Sequence, residues 1–209
     1  RITEIFHSLQ GESASVGLRT VFVRLTGCPL RCVYCDTAYA FKGGDWWEID
    51  AILAEVARHA VQHVTVTGGE PLAQNACGAL LSALCDAGYT VSLETSGAID
   101  VGEVDPRVVK VMDLKTPSSG EVERNLYSNV AHLLPQDQVK FVIGDAADYR
   151  WSREQIDRLA LAGRCEVLMS PVAGQLAPAE LADWILRDRL AVRFQLQLHK
   201  ILWGDQPGR

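Results

Sequence analysis

Cys28, Cys32 and Cys35 stand in a C-x3-C-x2-C spacing within residues 27–37, directly after the apolar, strand-like run of residues 20–25. Cysteines this close on one loop can turn their sulfurs toward a single point. A disulfide needs a pair and leaves one thiol over, whereas a metal centre uses all three. Thiolates favour soft ions, which means zinc or iron–sulfur clusters. Structural zinc normally takes four protein ligands, and no fourth cysteine or histidine lies nearby. A four-iron cluster held by three cysteines instead keeps one iron open. The spacing favours that cluster over zinc-bound or buried cysteines, since a buried thiol has no reason to keep it.

Apolar residues make up 48% of the chain and charged residues 22%, the balance of an ordinary soluble globular protein. At 209 residues the chain is read as one domain, residues 1–209. A net charge of −6 offers no broad basic face, which argues against tight nucleic-acid binding. No run approaches the roughly eighteen apolar residues of a membrane helix. The sequence opens on Arg1 with no signal-peptide pattern, and six cysteines in such a chain point to a reducing, cytoplasmic compartment. Cys77 and Cys85, on an apolar helical run, and Cys165, at a strand start, read as core thiols.

Apolar periodicity predicts strands over residues 2–6, 20–25, 63–67, 90–94, 108–113, 138–143, 166–169 and 192–198. It predicts helices over 49–60, 72–87 (ended by Gly88), 124–134, 151–161 and 179–189. Strands alternating with helices imply parallel pairing and right-handed crossovers. Several strands are apolar almost throughout, as parallel strands covered on both faces are. A closed eight-unit barrel takes about 250 residues, so the expectation is an α/β fold with an open, partial βα barrel of five to seven units. Thr67 to Glu70, Glu94 to Ser96, Asp113 to Lys115, Ser170 and His199 all fall at or just past predicted strand C-terminal ends. Parallel α/β folds bind ligands on that rim.

With Tyr34 in the slot before the third cysteine, the loop resembles the signature of radical S-adenosylmethionine (SAM) enzymes. That resemblance implies a [4Fe-4S] cluster on Cys28, Cys32 and Cys35, with SAM on the open iron. Gly68, Gly69, Glu70 and Pro71 resemble the family's second motif, which implies SAM contacts from Gly69 and Glu70, the carboxylate accepting from an ammonium. Further SAM contacts are implied for Asp113, Lys115 and the region of Ser170. A plain turn is the alternative for residues 68–71, and a strand-end ion pair is the alternative for Asp113 and Lys115.

Residues 5–12, residues 21–24 and the Asp36-Thr37 pair are similar to the 7-carboxy-7-deazaguanine synthases, a family of ring-contracting enzymes in deazapurine (queuosine-type) biosynthesis. Residues 197–201 resemble that family's C-terminal strand, and the similarity runs from residue 4 to about residue 203. The implied substrate is 6-carboxy-5,6,7,8-tetrahydropterin. Leu9, Gln10 and Gly11 would meet the pterin, with Thr67, Glu12 and His199 in the same pocket. Arg24 interrupts an apolar strand and would pair with the substrate carboxylate, which a guanidinium matches bidentately, with a surface ion pair as the alternative. Thr37 would help hold Mg2+, which takes few, hard oxygen ligands; a threonine capping a turn is the alternative. His199 has a packed histidine as its alternative.

The resemblance also implies a mechanism. An external electron donor such as flavodoxin reduces the cluster, SAM is cleaved to a 5′-deoxyadenosyl radical, and the radical takes hydrogen from C6. The ring then contracts with loss of ammonia, and the hydrogen returns so that SAM is reused. No general base is assigned. The loop is compact here, without the insertion some members carry between the first two cysteines. Residues 203–209 continue past the predicted terminal strand. Rival readings are an activase that installs a glycyl radical on a partner protein and a zinc-stabilised binding module. An open barrel leaves edges that pairing would cover, so a homodimer is expected.

Overall fold

The structure, a computed structural model, describes residues 1–204 and 206–208. Its strands are β1 (Ile2–Leu9), β2 (Arg19–Leu25), β3 (His63–Gly68), β4 (Thr90–Thr95), β5 (Val109–Asp113), β6 (Gln138–Ile143), β7 (Glu166–Pro171) and β8 (Arg193–Phe194). They form one sheet in sequence order, and β1 and β8 do not pair, so the barrel is open as expected. From β2 to β8 every pairing is parallel. β1 departs from the expected pattern and runs antiparallel to β2. The connection through residues 10–18 is too short for the crossover that a parallel pair needs.

The sheet has two unlike faces, because side chains alternate along each strand. Val21, Val23, Val64, Val66, Val91 and Leu93 point outward. They pack on Ile52 and Val56 of α1 (Ile49–Ala57) and on Leu80, Leu81 and Leu84 of α2 (Cys77–Asp86). Val139, Phe141, Ile143, Val167 and Met169 do the same against Tyr149 and Ile156 of α3 (Ala146–Arg158) and Leu181 and Ile185 of α4 (Pro178–Asp188). The inner face carries no helix layer and mixes polar with apolar groups: Arg24, Thr67, Glu94, Asp113 and Lys140 line a cavity together with Phe22, Val111 and Val142. The expectation of strands covered on both faces is therefore corrected. One register position carries the helix layer and the next carries the cavity.

Three helical expectations shift. Residues 124–134 hold no α-helix but 3-10 turns at Val122–Arg124 and Tyr127–His132. Asn125 bonds both backbone groups of Lys115, and Asn129 bonds Val101, Gly97 and Ile99, so these side chains compete with helical pairing. α3 begins five residues earlier than predicted, since the Asp145 carboxylate caps Ala147 N and Asp148 N at 2.7 and 2.9 Å. α2 begins later, behind a 3-10 turn at Pro71–Ala73. Gly88 follows α2 at φ 88°, as glycine there should.

The predicted strand over 192–198 is corrected more strongly. Two residues pair with β7, and the chain then turns into α5 (Leu198–Trp203), which places His199 on a helix rather than at a strand end. Two glutamine side chains tie this part of the fold to the loop after β1. Gln195, 5% exposed, grips the backbone of Ser13, donating to Ser13 O at 2.5 Å and accepting from Ser13 N at 2.9 Å. Gln138 accepts from Ala14 N at 2.9 Å. The loop after β1 is thus latched to β6 and to the segment after β8, which bridges by side chains the gap that strand pairing leaves open. Of the tail discussed above, Asp205 and Arg209 lie outside the described residues.

Candidate functional site

The inner face, the cysteine loop and the C-terminal segment enclose a cavity of about 580 Å³. Leu9, Gln10, Gly11, Glu12, Arg24, Cys28, Cys32, Cys35, Thr37, Thr67, Gly69, Asp113, Lys115 and His199 all line it. Of the residues expected in the site, Glu70 and Ser170 stand outside that lining.

Glu70 is a strut. It is fully buried, and its carboxylate accepts from Leu72 N, Thr95 Oγ1, Ser96 N and Ser96 Oγ at 2.5–3.0 Å. With its oxygens taken by protein donors it has no free edge toward the cavity. Its own N–H donates to Gly27 O at 2.8 Å, which ties this turn to the cysteine loop. Gly69 serves the same contact: an added Cβ would collide with Gly27 O and lie 2.6 Å from Cys28 Cβ. The glycine therefore seats the cysteine loop as well as facing the cavity. Ser170 sits on the inner face opposite Val142, 1% exposed, with its Oγ buried and without a hydrogen-bond partner.

At one end of the cavity, Cys28, Cys32 and Cys35 are free thiols. Burial pushes the Cys28 and Cys32 thiols up, a shift that a bound cation reverses. Among the described residues no group of three or more His, Cys, Asp or Glu side chains is placed to hold a single metal ion. Three soft, unpaired donors on one cavity wall fit a multi-iron cluster, in which each cysteine takes a different iron. Beside them Lys115 donates to Asp113 at 3.0 Å, while Asp113 Oδ1 is buried without a partner. Burial works against the Lys115 charge, but Asp113 outweighs it and raises the pKa. Thr37 precedes a 3-10 turn at Ala38–Phe41 yet makes no side-chain cap; its hydroxyl lies 3.8 Å from Cys35 Sγ. By contrast Cys77 and Cys165 sit against the two cores, where burial lifts them to about 12 and about 11.

At the other end, Gln10 is 2% exposed and donates to Thr65 Oγ1 at 3.1 Å and to Glu94 Oε1 at 3.3 Å. Thr67 donates to Glu94 Oε2 at 3.1 Å. Burial, reinforced by the nearby Glu12 charge, raises the Glu94 pKa. Arg24 sits opposite Thr67 in the β2–β3 register. Its Nε donates to Glu4 Oε1 at 2.6 Å, and the Tyr39 hydroxyl donates to the same oxygen at 2.7 Å. Arg24 thus has a carboxylate neighbour in the protein itself. His199 packs on Gly11, where any Cβ would strike its Nδ1, and Leu198 N donates to Gly11 O at 3.0 Å.

Sequence reasoning missed three residues of this floor, Glu94, Lys140 and Gln197, and Glu4 beside it. Glu4 pairs with Arg24 across the antiparallel β1–β2 register, which was not foreseen. Glu94 was seen on the rim but given no role. Gln197 donates to Glu12 Oε1 at 2.8 Å from the mispredicted terminal strand. Lys140 meets Glu12 Oε2 at 2.5 Å. A lone lysine inside the apolar run 138–143 is the same signal that singled out Arg24, and it was available.

Comparison with known proteins follows this geometry. The Radical SAM superfamily profile matches residues 22–114. A 7-carboxy-7-deazaguanine synthase of Chlorobaculum tepidum is 47% identical over 206 residues, covering 97% of this chain and 94% of that protein. Another, from Koribacter versatilis, is 42% identical and covers 99% and 98%. Among solved structures, QueE from Escherichia coli superposes with a TM-score of 0.74 at 23% identity, covering 95% of this chain and 93% of that one. That likeness concerns the fold.

Proposed function

Because the chain belongs to the 7-carboxy-7-deazaguanine synthases of the radical SAM superfamily, we propose that it converts 6-carboxy-5,6,7,8-tetrahydropterin to 7-carboxy-7-deazaguanine with loss of ammonia. The observation that carries this reading is one cavity with two unlike ends. A rim of three free thiols faces a floor of hydrogen-bonding and charged groups that suits a pterin bearing a carboxylate. Relatives that are synthases over nearly the whole chain leave the glycyl-radical activase and the zinc module without support.

In this reading Cys28, Cys32 and Cys35 hold the [4Fe-4S] cluster and leave one iron for SAM. When bound, cluster and SAM supply one-electron hydrogen abstraction at C6 of the pterin. The protein's work is placement, which confers much of the rate when two reactants must meet in a fixed geometry. Gly69, Asp113 and Lys115 offer a backbone edge, an anion and a cation to the amino-acid end of SAM. Asp113 Oδ1, buried without a partner on a residue of the cavity lining, is a polar group that a ligand would satisfy. Glu70 acts indirectly, holding the cysteine loop to β4.

Gln10, Thr67 and the Leu9–Gly11 backbone read the pterin edge, with Glu12 and His199 closing the pocket. Arg24 pairs with the substrate carboxylate through the guanidinium edge that Glu4 leaves free. Thr37 Oγ, unused as a cap, supplies Mg2+ with a hard oxygen. An electron donor such as flavodoxin and assembly as a homodimer complete the proposal. Among the described residues no helix is long and apolar enough to cross a membrane.

The test is isotopic. With substrate deuterated at C6, the reading expects deuterium in recovered SAM and a product from which it is lost. Deuterium retained in an unchanged pterin overturns it.

A further inference from the structure

The cavity floor holds a continuous ion chain between its two ends. Lys115 Nζ lies 3.0 Å from Asp113 Oδ2, and Lys140 Nζ lies 3.7 Å from the same oxygen. Lys140 also lies 2.5 Å from Glu12 Oε2, and Glu12 is held in turn by Gln197. The strand register creates the central link, since Asp113 of β5 pairs with Lys140 of β6. Glu94 on β4 adds a third negative charge facing the ammonium.

The side chains of Lys140, Glu12 and Asp113 are 13%, 12% and 17% exposed, so water does little to screen them. Without the ammonium, Glu12 and Glu94 would lose a facing cation in a poorly solvated cavity, and Asp113 would keep Lys115 alone. Glu12 and Glu94 would have to take up protons or move apart. Glu12 stands on the loop assigned to the pterin, and Asp113 stands on the strand end assigned to SAM. Lys140, which stands on neither, bridges the two by ion pairs, while Gln138 and Gln195 hold the same loop farther along.

We propose that Lys140 is a positioning residue that holds the pterin-binding loop and the SAM-binding strand end at the spacing hydrogen transfer requires. This rests on the site assignment of the proposed function. Loss of the ammonium lets the two edges drift, and a misplacement of about 1 Å costs on the order of 10²-fold in rate.

The test compares Lys140→Met, Lys140→Arg and the neutral pair Lys140→Met/Glu12→Gln, by hydrogen exchange and by turnover. Exchange read on the cluster-free chain should speed up at residues 9–14 and at 113–116 together in Lys140→Met, and return toward wild type in Lys140→Arg. With cluster, SAM and pterin present, Lys140→Met should cleave more SAM per product and lose on the order of 10²-fold in kcat/KM for the pterin. The neutral pair should be no worse than Lys140→Met alone, as two residues acting as a unit are.

Exchange that quickens at one segment or neither overturns the proposal, and so does an unchanged ratio of SAM cleaved to product formed. A wild-type chain that cleaves SAM yet leaves the pterin intact overturns the substrate assignment instead. The exchange experiment then still decides whether Lys140 joins the two edges.

Discussion

Replacing Gln195 with alanine tests whether side chains close this open barrel. Ser13 is 1% exposed and holds a left-handed φ of 66°, a conformation that costs a non-glycine residue about 1–2 kcal/mol. Two bonds from Gln195 hold it there, joining residues 182 positions apart. In Gln195→Ala the Ser13 N–H is stranded, at about 1–3 kcal/mol, and the amide–carbonyl bond is lost at about 0.5–1.5 kcal/mol. The carbonyl itself keeps Val16 N at 3.3 Å. Relaxation of Ser13 out of the left-handed region returns about 1 kcal/mol, so the net loss should be about 2 kcal/mol. Urea unfolding of the cluster-free chain reads it as a lower midpoint at constant slope. The same variant should raise the KM for the pterin, because Gln10 to Glu12 precede the latched residue. A stability within about 0.5 kcal/mol of wild type, the ordinary range for an inconsequential surface change, would refute the latch.

Other substitutions test the two ends of the cavity. Gly69→Ala should leave the circular dichroism spectrum intact but lower the iron and sulfide bound on reconstitution, since its Cβ meets backbone that cannot yield. Thr37→Val should lose any stimulation by Mg2+ in the turnover assay while keeping its thermal midpoint, because the hydroxyl caps nothing. For Glu12, burial opposes the charge, but Lys140 and Gln197 outweigh it and hold the carboxyl at about 2, below its ordinary 4.5. A depressed acid contributes stability above its unfolded value and loses it as pH falls toward the folded one. Urea midpoints should therefore drop from pH 4.5 downward in the wild type, and less steeply in Glu12→Gln.

The strands of the parallel sheet are legible in the sequence because their outward positions are mostly valine, leucine and isoleucine, with Phe141 and Met169 among them. The rim is legible because polar residues interrupt them at fixed places. The cysteine loop stands out through its spacing, and its implied SAM chemistry comes from the resemblance that Tyr34 completes. What fails to show are features decided by distant partners. Asn125 and Asn129 turn a helical pattern over 124–134 into 3-10 turns by bonding backbone elsewhere. β8 pairs over Arg193–Phe194, and Gln195 just beyond it donates its N–H to Met169 O while its side-chain amide is committed to Ser13, a partner 182 positions away. Glu70 looks like a ligand group and proves to be a strut, a distinction that depends on Thr95 and Ser96 arriving from the next strand. The pairing of Arg24 with Glu4 required the antiparallel start, which βα alternation hides.

The most direct measurement is an anaerobic reaction of the reconstituted protein with SAM, a low-potential reductant, Mg2+ and 6-carboxy-5,6,7,8-tetrahydropterin, followed by mass spectrometry. The account predicts a product lighter than substrate by one ammonia and no net consumption of SAM. SAM cleaved beside an intact pterin would contradict the assigned substrate, and a full complement of iron and sulfide with no SAM cleaved would contradict the reading of the cysteine loop.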